Sequence, residues 1–421
     1  MKLITPGEVN GSIMAPPSKS IMQRALAAAA LSGGVSEILN PSFCDDALAA
    51  IGACRVLGAG VDLKGGAVEV HGIGGRPSRG GVIDCNESGL CSRMFTPIAS
   101  LSSAEFTITG KGSLLTRQME MSEGPLRSLG VQVKTMNGLL PLKVKGPLMG
   151  GEVEVAGSVS SQSLPGLLLA LPLCEKDSVV HVRELRSKEY VSMTIDVASA
   201  FGVKISNKDF ATFKISGGQS HKPAKFAVEG DWSAASALLV AGAIAGEVKI
   251  TGLNKNSRQP DKRIIEALKA AGAKVKRGKN YAAVQKGPLA GFSFDATDCP
   301  DLFPALVALA CYCRGKTVLK GAQRLRHKES DRAAALVEEF SKMGADIRAN
   351  GDLIEVLGVS GKGTPLTGGE VDSHNDHRIA MACAVAGLPS EKGVRINGEG
   401  CVSKSFPGFF EALQSLRARG K

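Results

Sequence analysis

The densest polar cluster of the chain is Arg324-Leu-Arg-His-Lys-Glu-Ser-Asp-Arg332. Lys328, Glu329, Asp331 and Arg332 fall within five positions, at the start of an amphipathic stretch. A carboxylate held between two cations is placed to pass a proton to a bound anion. From charge alone the same cluster also reads as a solvated, salt-bridged helix start. A second cluster, Asn375-Asp-His-Arg378, opens an apolar helix, where an arginine is costly unless paired. Its planar fork suits a phosphate or a carboxylate. His374 and His377 stand at i,i+3 without a third ligand, which is too little for a metal site. Pro16-Pro-Ser-Lys-Ser20 with Arg24 has the look of a phosphate loop that lacks glycines. Lys19 and Arg24 lie little more than one helical turn apart, so they can share one ligand. Ala310-Cys-Tyr-Cys-Arg-Gly-Lys-Thr317 fits a relaxed Walker A pattern. Its order of helix, turn and strand is the reverse of what a phosphate loop requires.

These residues sit on a repeat. Six Ala/Leu/Val-rich segments each follow a helix-capping residue: Ser18, Ser88, Ser160, Asp231, Asp298 and Asn375. The separations are 70, 72, 71, 67 and 77 residues. Glycines that end amphipathic stretches keep step: Gly60, Gly130, Gly202, Gly272 and Gly344, with Gly420 closing a sixth. A unit this long holds several elements, beyond solenoid periods. Each copy reads as strand, apolar helix, strand, amphipathic helix, then strands joined by a Gly-rich turn. The strands include Glu105–Thr109, Glu152–Ala156, Ser178–Val182, Glu247–Thr251, Thr317–Lys320 and Gly393–Asn397. Segments such as Ala25–Leu31, Leu164–Leu173 and Leu302–Cys311 are apolar nearly all round, so they are read as buried helices. If they lie side by side, their N-termini can converge and present free N–H groups to an anion. Ser, Asp and Asn are also simply good caps, but that does not explain the Lys or Arg that recurs beside them. Six copies most simply make two lobes of three, with a cleft between.

Composition agrees. The 421 residues suffice for two or three domains. The formal charge of +11 points to an anionic partner: nucleic acid, membrane surface or phosphorylated substrate. One Trp, three Tyr and 14 Phe give few stacking platforms for single-stranded nucleic acid. Ten scattered cysteines, without a CxxC pair, read as small core residues of a reducing cytoplasm. The N-terminus does not read as a signal peptide, and no apolar run is long enough to span a bilayer.

Taken together, the motifs resemble the 5-enolpyruvylshikimate-3-phosphate synthase family over almost the whole chain. The matching segments are Pro17-Ser-Lys-Ser20 with Arg24, Ser88-Gly-x-x-x-Arg93, Arg117, Ser160-Ser-Gln162, Ser187-Lys-x-Tyr190, Glu229-Gly-Asp231, Pro300-Asp301, Lys328-Glu-Ser-Asp-Arg332, Asn375-Asp-His-Arg378 and Lys404-x-Phe-Pro407. The resemblance implies an α/β enolpyruvyl transferase fold of two lobes, each with three βαβαββ units and buried helices whose N-termini face the cleft. It implies one lobe from residues 17–228, on the shikimate 3-phosphate side. The other is 1–16 plus 229–421, with the catalytic carboxylates and phosphoenolpyruvate clamps. The implied reaction moves enolpyruvyl from phosphoenolpyruvate to the 5-hydroxyl of shikimate 3-phosphate through a tetrahedral intermediate, releasing phosphate. It serves chorismate and aromatic amino acid biosynthesis, with no metal or cofactor. By resemblance, Lys19, Ser20, Arg24, Ser160, Ser161, Gln162, Ser187, Tyr190, Asp301 and Lys328 hold shikimate 3-phosphate. Lys19, Gly89, Arg117, Gln162, Arg332, Arg378 and Lys404 hold phosphoenolpyruvate. Asp301 accepts the hydroxyl proton and Glu329 protonates the methylene carbon, with Lys19 beside them. Gly89 also implies room for the inhibitor glyphosate. Leu90, Gln118, Glu189 and Arg324 depart from the common pattern. The expectation is a cytoplasmic monomer with no nucleic-acid or membrane partner.

Two other readings stand beside this one. The related UDP-N-acetylglucosamine enolpyruvyl transferases commonly carry a reactive Cys in a loop, whereas the corresponding Gly112–Gly124 has none. Charge alone allows a basic RNA-binding protein.

Overall fold

The computed structural model describes residues 1–157, 162–326, 328–359 and 366–417. Gly420 and the cap reading at Ser160 lie outside them. The chain divides into two compact units, Pro17–Glu229 and Met1–Pro16 with Gly230–Lys421. Each unit has its own apolar core.

The repeating element is a small mixed sheet. In the third copy, Glu152–Ala156 runs parallel to Ser178–Arg183. Parallel neighbours need a crossover, and the helix Ser163–Ala170 lies between them in sequence. Ser178–Arg183 then pairs antiparallel with Thr212–Ile215, which pairs antiparallel with Ser206–Lys208. Five four-stranded sheets share this order among the described residues, and a sixth sheet has three strands.

The chain closes each unit with a strand from far away in sequence. In the unit Pro17–Glu229, the first sheet takes its parallel edge strand from Lys225–Ala227, against Gly33–Leu39. In the other unit, Val9–Met14 runs parallel to Gly246–Thr251. Lys2–Ile4 pairs antiparallel with Val394–Asn397. Strand hydrogen bonds therefore tie the first sixteen residues to the C-terminal half.

The apolar helices are buried as their composition requires. All fourteen residues of Trp232–Ala245 are buried. A fully buried leucine such as Leu238 contributes about 1.5–3 kcal/mol. The alanines contribute less area but let neighbours approach closely. Gly166 takes this furthest, since a Cβ there would lie 2.4 Å from the Met94 carbonyl oxygen on the helix Gly89–Ala99. In the C-terminal unit, Trp232–Ala245, Phe303–Ala310 and His377–Gly387 pack against one another.

Three caps fall where expected: Ser18 accepts from the Ile21 amide, Ser88 from Cys91 and Asp231 from Ala234. Two expectations are corrected. Asp298 caps no helix, because Pro300–Leu302 forms a 3-10 turn that leads into Phe303–Ala310. The cap of His377–Gly387 is Asp376 rather than Asn375, because Asn375 takes a left-handed backbone, φ 53°.

One buried titratable group lies away from these helix starts. His221 Nε2 donates to the Leu169 carbonyl at 2.9 Å. Its buried Nδ1 has no hydrogen-bond partner. Burial lowers its pKa from the usual 6.5, against a smaller upward pull from that carbonyl. A depressed folded pKa gives stability that is full above the unfolded value and is lost as pH falls below it. Wild-type protein is therefore expected to lose stability below about pH 6.5. His221→Gln, which retains a donor for Leu169, should flatten that loss in urea titrations. An equally steep pH dependence in the variant would contradict it.

Candidate active site

In the C-terminal unit the helix starts bring the expected charges together. Pro300–Leu302 places Asp301 before Phe303–Ala310. Lys328 Nζ donates to Asp301 Oδ1 at 3.1 Å, and Arg332 Nη1 donates to the same oxygen at 2.9 Å. Arg378 Nη2 lies 3.3 Å from Asp301 Oδ2. One carboxylate thus faces three cations. Glu329 accepts from Arg332 Nη2, one helical turn away. Arg378 Nη1 also reaches the Ser233 carbonyl at 3.4 Å, which ties it to the start of Trp232–Ala245. Lys404 joins through the backbone, donating to the Asn375 carbonyl at 2.7 Å.

Arg332 is the keystone of this group. Its side chain is 0% exposed. Nε donates to Asp376 Oδ2 at 2.8 Å and Nη2 to Oδ1 at 3.3 Å. Burial opposes its charge, but Asp376, Glu329 and Asp301 outweigh that and raise its pKa above the ordinary arginine value. Arg378 is raised in the same way, chiefly by Asp301 against burial. Lys328 goes the other way: burial lowers it, only partly offset by Asp301. The cluster thus holds two firmly charged arginines beside a lysine whose ammonium is less strongly retained.

The other unit carries a second group. Lys19 Nζ pairs with Asp46 at 2.9 Å. Arg24 is buried and turned into the fold: Nε donates to Thr194 Oγ1, Nη1 to the Ser20 carbonyl and Nη2 to the Tyr190 carbonyl. Burial, partly opposed by Tyr190, takes its pKa down to about 10. It therefore links the helix Lys19–Leu31 to Lys188–Ala200, which Ser187 precedes in a left-handed conformation, φ 54°. Ser160 and Ser161 lie outside the described residues. Gln162 Oε1 accepts from Arg93 Nη1 at 2.7 Å, and Arg93 Nη2 donates to the Gln118 carbonyl at 3.1 Å. Arg117 Nη2 reaches Ser113 Oγ at 3.4 Å.

Gly89 stands among these cations. A Cβ there would lie 2.8 Å from Arg117 Nη1 and 2.9 Å from Arg93 Nη1. Both are ends of flexible side chains, so Gly89→Ala should fold while displacing them. If Gly89 holds phosphoenolpyruvate, as the resemblance implies, Gly89→Ala should raise the KM for it by about tenfold, a shift near 1.4 kcal/mol. An unchanged KM would separate Gly89 from that ligand.

Sequence reasoning missed Asp46, the partner of Lys19, and Thr194, a partner of Arg24, and it missed Glu339, which bonds the Asp372 amide and His374 just before the Asn375–Arg378 segment. Asp46 and Thr194 carried no local signal. Glu339 did, because it falls on the apolar face of its helix, seven residues after Arg332. On that helix Arg332, Ala335, Leu336, Glu339 and Phe340 are buried. Glu338, Glu339 and His374 also bring three candidate ligand atoms within 4.8 Å of one another, a set the sequence spacing did not reveal. Lys342 Nζ already lies 2.8 Å from Glu338 and 2.8 Å from Glu339, so an ammonium supplies the positive charge there. No described helix is long and apolar enough to cross a membrane.

Comparison with known proteins identifies the family. The family model for EPSP synthase (3-phosphoshikimate 1-carboxyvinyltransferase) matches residues 4–413. A curated 3-phosphoshikimate 1-carboxyvinyltransferase from Clostridium novyi (strain NT) is 39% identical, covering 98% of this chain and 96% of the relative. One from Aeropyrum pernix is 38% identical, covering 99% and 96%. Among solved structures, the EPSP synthase of Acinetobacter baumannii superposes with a TM-score of 0.82 at 28% identity, covering 99% of this chain and 97% of that one. Neither the UDP-N-acetylglucosamine reading nor the RNA-binding reading is favoured by these matches.

Proposed function

The chain belongs to the EPSP synthase family, and we propose that it transfers the enolpyruvyl group of phosphoenolpyruvate to the 5-hydroxyl of shikimate 3-phosphate, releasing phosphate. The observation that carries the site assignment is Asp301 held by Lys328, Arg332 and Arg378, with Glu329 on the same arginine.

The chemistry is addition followed by elimination. Glu329 protonates the methylene carbon of phosphoenolpyruvate, and the neighbouring carbon becomes cation-like. Asp301 takes the proton of the attacking 5-hydroxyl. Reversing the two proton transfers expels phosphate from the tetrahedral intermediate. Arg332 and Arg378 bear charge that does not depend on pH near neutrality, so they suit carboxylate and phosphate oxygens throughout. An anion that draws Arg378 away from Asp301 Oδ2 also leaves that oxygen open to the incoming proton.

Lys19, Ser20, Arg24, Ser160, Ser161, Gln162, Ser187, Tyr190, Asp301 and Lys328 form the proposed shikimate 3-phosphate set. Lys19, Gly89, Arg117, Gln162, Arg332, Arg378 and Lys404 form the proposed phosphoenolpyruvate set. We place the protein in the cytoplasm as a monomer, where both anionic substrates are soluble. Phosphate release from phosphoenolpyruvate tests the reading, with shikimate 3-phosphate and UDP-N-acetylglucosamine as rival acceptors. Release is expected only with the first; release only with the second would overturn it.

A further inference from the structure

Arg378 follows closely on a turn of unusual backbone conformation. Within that turn His374 and Asn375 take consecutive left-handed conformations, φ 50° and 53°. Such residues persist only where their surroundings over-determine them. Part of the hold is local. The Asn375 amide donates to Ser373 Oγ at 3.2 Å, and the Asp376 amide donates to the Ser373 carbonyl at 2.8 Å. Ser373 Oγ itself donates to the Gly398 carbonyl at 3.1 Å.

Lys404 adds a bond to the Asn375 carbonyl, and the helix Arg332–Lys342 grips the turn at two points on its buried face. At its start, Arg332 takes both oxygens of Asp376. Seven residues on, Glu339, whose side chain is 0% exposed, takes the other end. Its Oε2 accepts from the Asp372 amide at 2.9 Å, and its Oε1 lies 2.6 Å from His374 Nε2. Lys342 Nζ donates to the same Oε1 at 2.8 Å. A buried carboxylate is costly unless its oxygens are satisfied. Here the satisfying donors belong largely to the turn, so the carboxylate and the turn fix each other.

We propose that Glu339, through His374 and the Asp372 amide, is a positioning residue that aims Arg378 at phosphoenolpyruvate. This rests on the enolpyruvyl-transfer reading given above. Its role in this proposal is indirect: Glu339 acts on the turn, and the turn acts on the arginine. Misplacing a binding group by about 1 Å can cost on the order of 10²-fold.

The test uses full-length protein in three forms besides wild type. Glu339→Gln keeps the shape and loses one acceptor. His374→Asn tolerates the left-handed backbone but is too short to reach Glu339. His374→Gln reaches and can donate. Steady-state kinetics and amide hydrogen exchange across residues 372–378 are measured on each. Glu339→Gln and His374→Asn are expected to raise KM for phosphoenolpyruvate by about 10–100-fold. Their kcat and their KM for shikimate 3-phosphate should change little, and exchange in the turn should speed up. His374→Gln should recover most of the effect. Unchanged exchange and unchanged KM for phosphoenolpyruvate would overturn the inference. So would an equal rise in both KM values, the mark of general loosening. If wild type releases no phosphate, the functional reading fails separately. Exchange in the turn then decides alone whether Glu339 holds it.

Discussion

Asp301→Asn is expected to lower turnover by about 10²–10⁴-fold, the usual contribution of a general acid or base. The amide keeps the shape but cannot take the 5-hydroxyl proton. It also leaves Lys328, Arg332 and Arg378 facing a neutral group. Shikimate 3-phosphate binding should therefore change as well, because those cations are released toward any anion. Glu329→Gln should lose turnover on the same scale with less effect on binding, since its partner Arg332 keeps Asp301 and Asp376. Comparing the two variants separates proton transfer from charge placement. Phosphate-release kinetics with calorimetry for shikimate 3-phosphate make the comparison. Near-normal turnover in both would remove these carboxylates from the mechanism.

Arg332→Met is expected to cost stability as well as activity. Arg332 and Asp376 are both 0% exposed, and removing one partner leaves the other charged in the interior. Breaking such a pair typically costs about 3–5 kcal/mol. Glu329 and Asp301 lose a cation at the same time. Asp376→Asn, added to Arg332→Met, should recover part of the loss, because the orphaned charge goes with it. The cost is thus non-additive, as expected of residues in one network. Urea denaturation of wild type, both single variants and the double variant checks this. A double variant no more stable than Arg332→Met alone would contradict the pairing. Activity should be lost in all three variants, so stability is the informative readout.

Much of this arrangement could be read from the chain, and the exceptions have physical reasons. Ser18, Ser88 and Asp231 were legible as caps because each directly precedes an apolar helix. Asp298 misled because Pro300 starts a 3-10 turn of its own. Asn375 was one residue early because the left-handed pair His374 and Asn375 delays the helix. Arg332 was legible as a charge, but its bidentate grip on Asp376 crosses 44 positions of sequence and left no local trace. Glu339 was hidden by its type: a glutamate in an amphipathic helix is usually solvated, and only its phase relative to Leu336 and Phe340 marks it as buried. The repeat period did not reveal that Lys225–Ala227 and Val9–Met14 complete sheets far away in sequence, since strand exchange leaves the spacing of the helices unchanged. The N-terminal exchange was expected only through the family resemblance.

The central claim is that the protein's own carboxylates run an addition–elimination. Turnover in deuterium oxide, followed by proton NMR of the product, tests it most directly. Protonation of the methylene carbon makes a methyl group, and the later deprotonation draws from all three of its hydrogens. The account predicts an enolpyruvyl ether on the 5-hydroxyl of shikimate 3-phosphate, phosphate released in equal amount, and deuterium in the vinyl position. Phosphate released without the ether, or an ether free of vinyl deuterium, would contradict it.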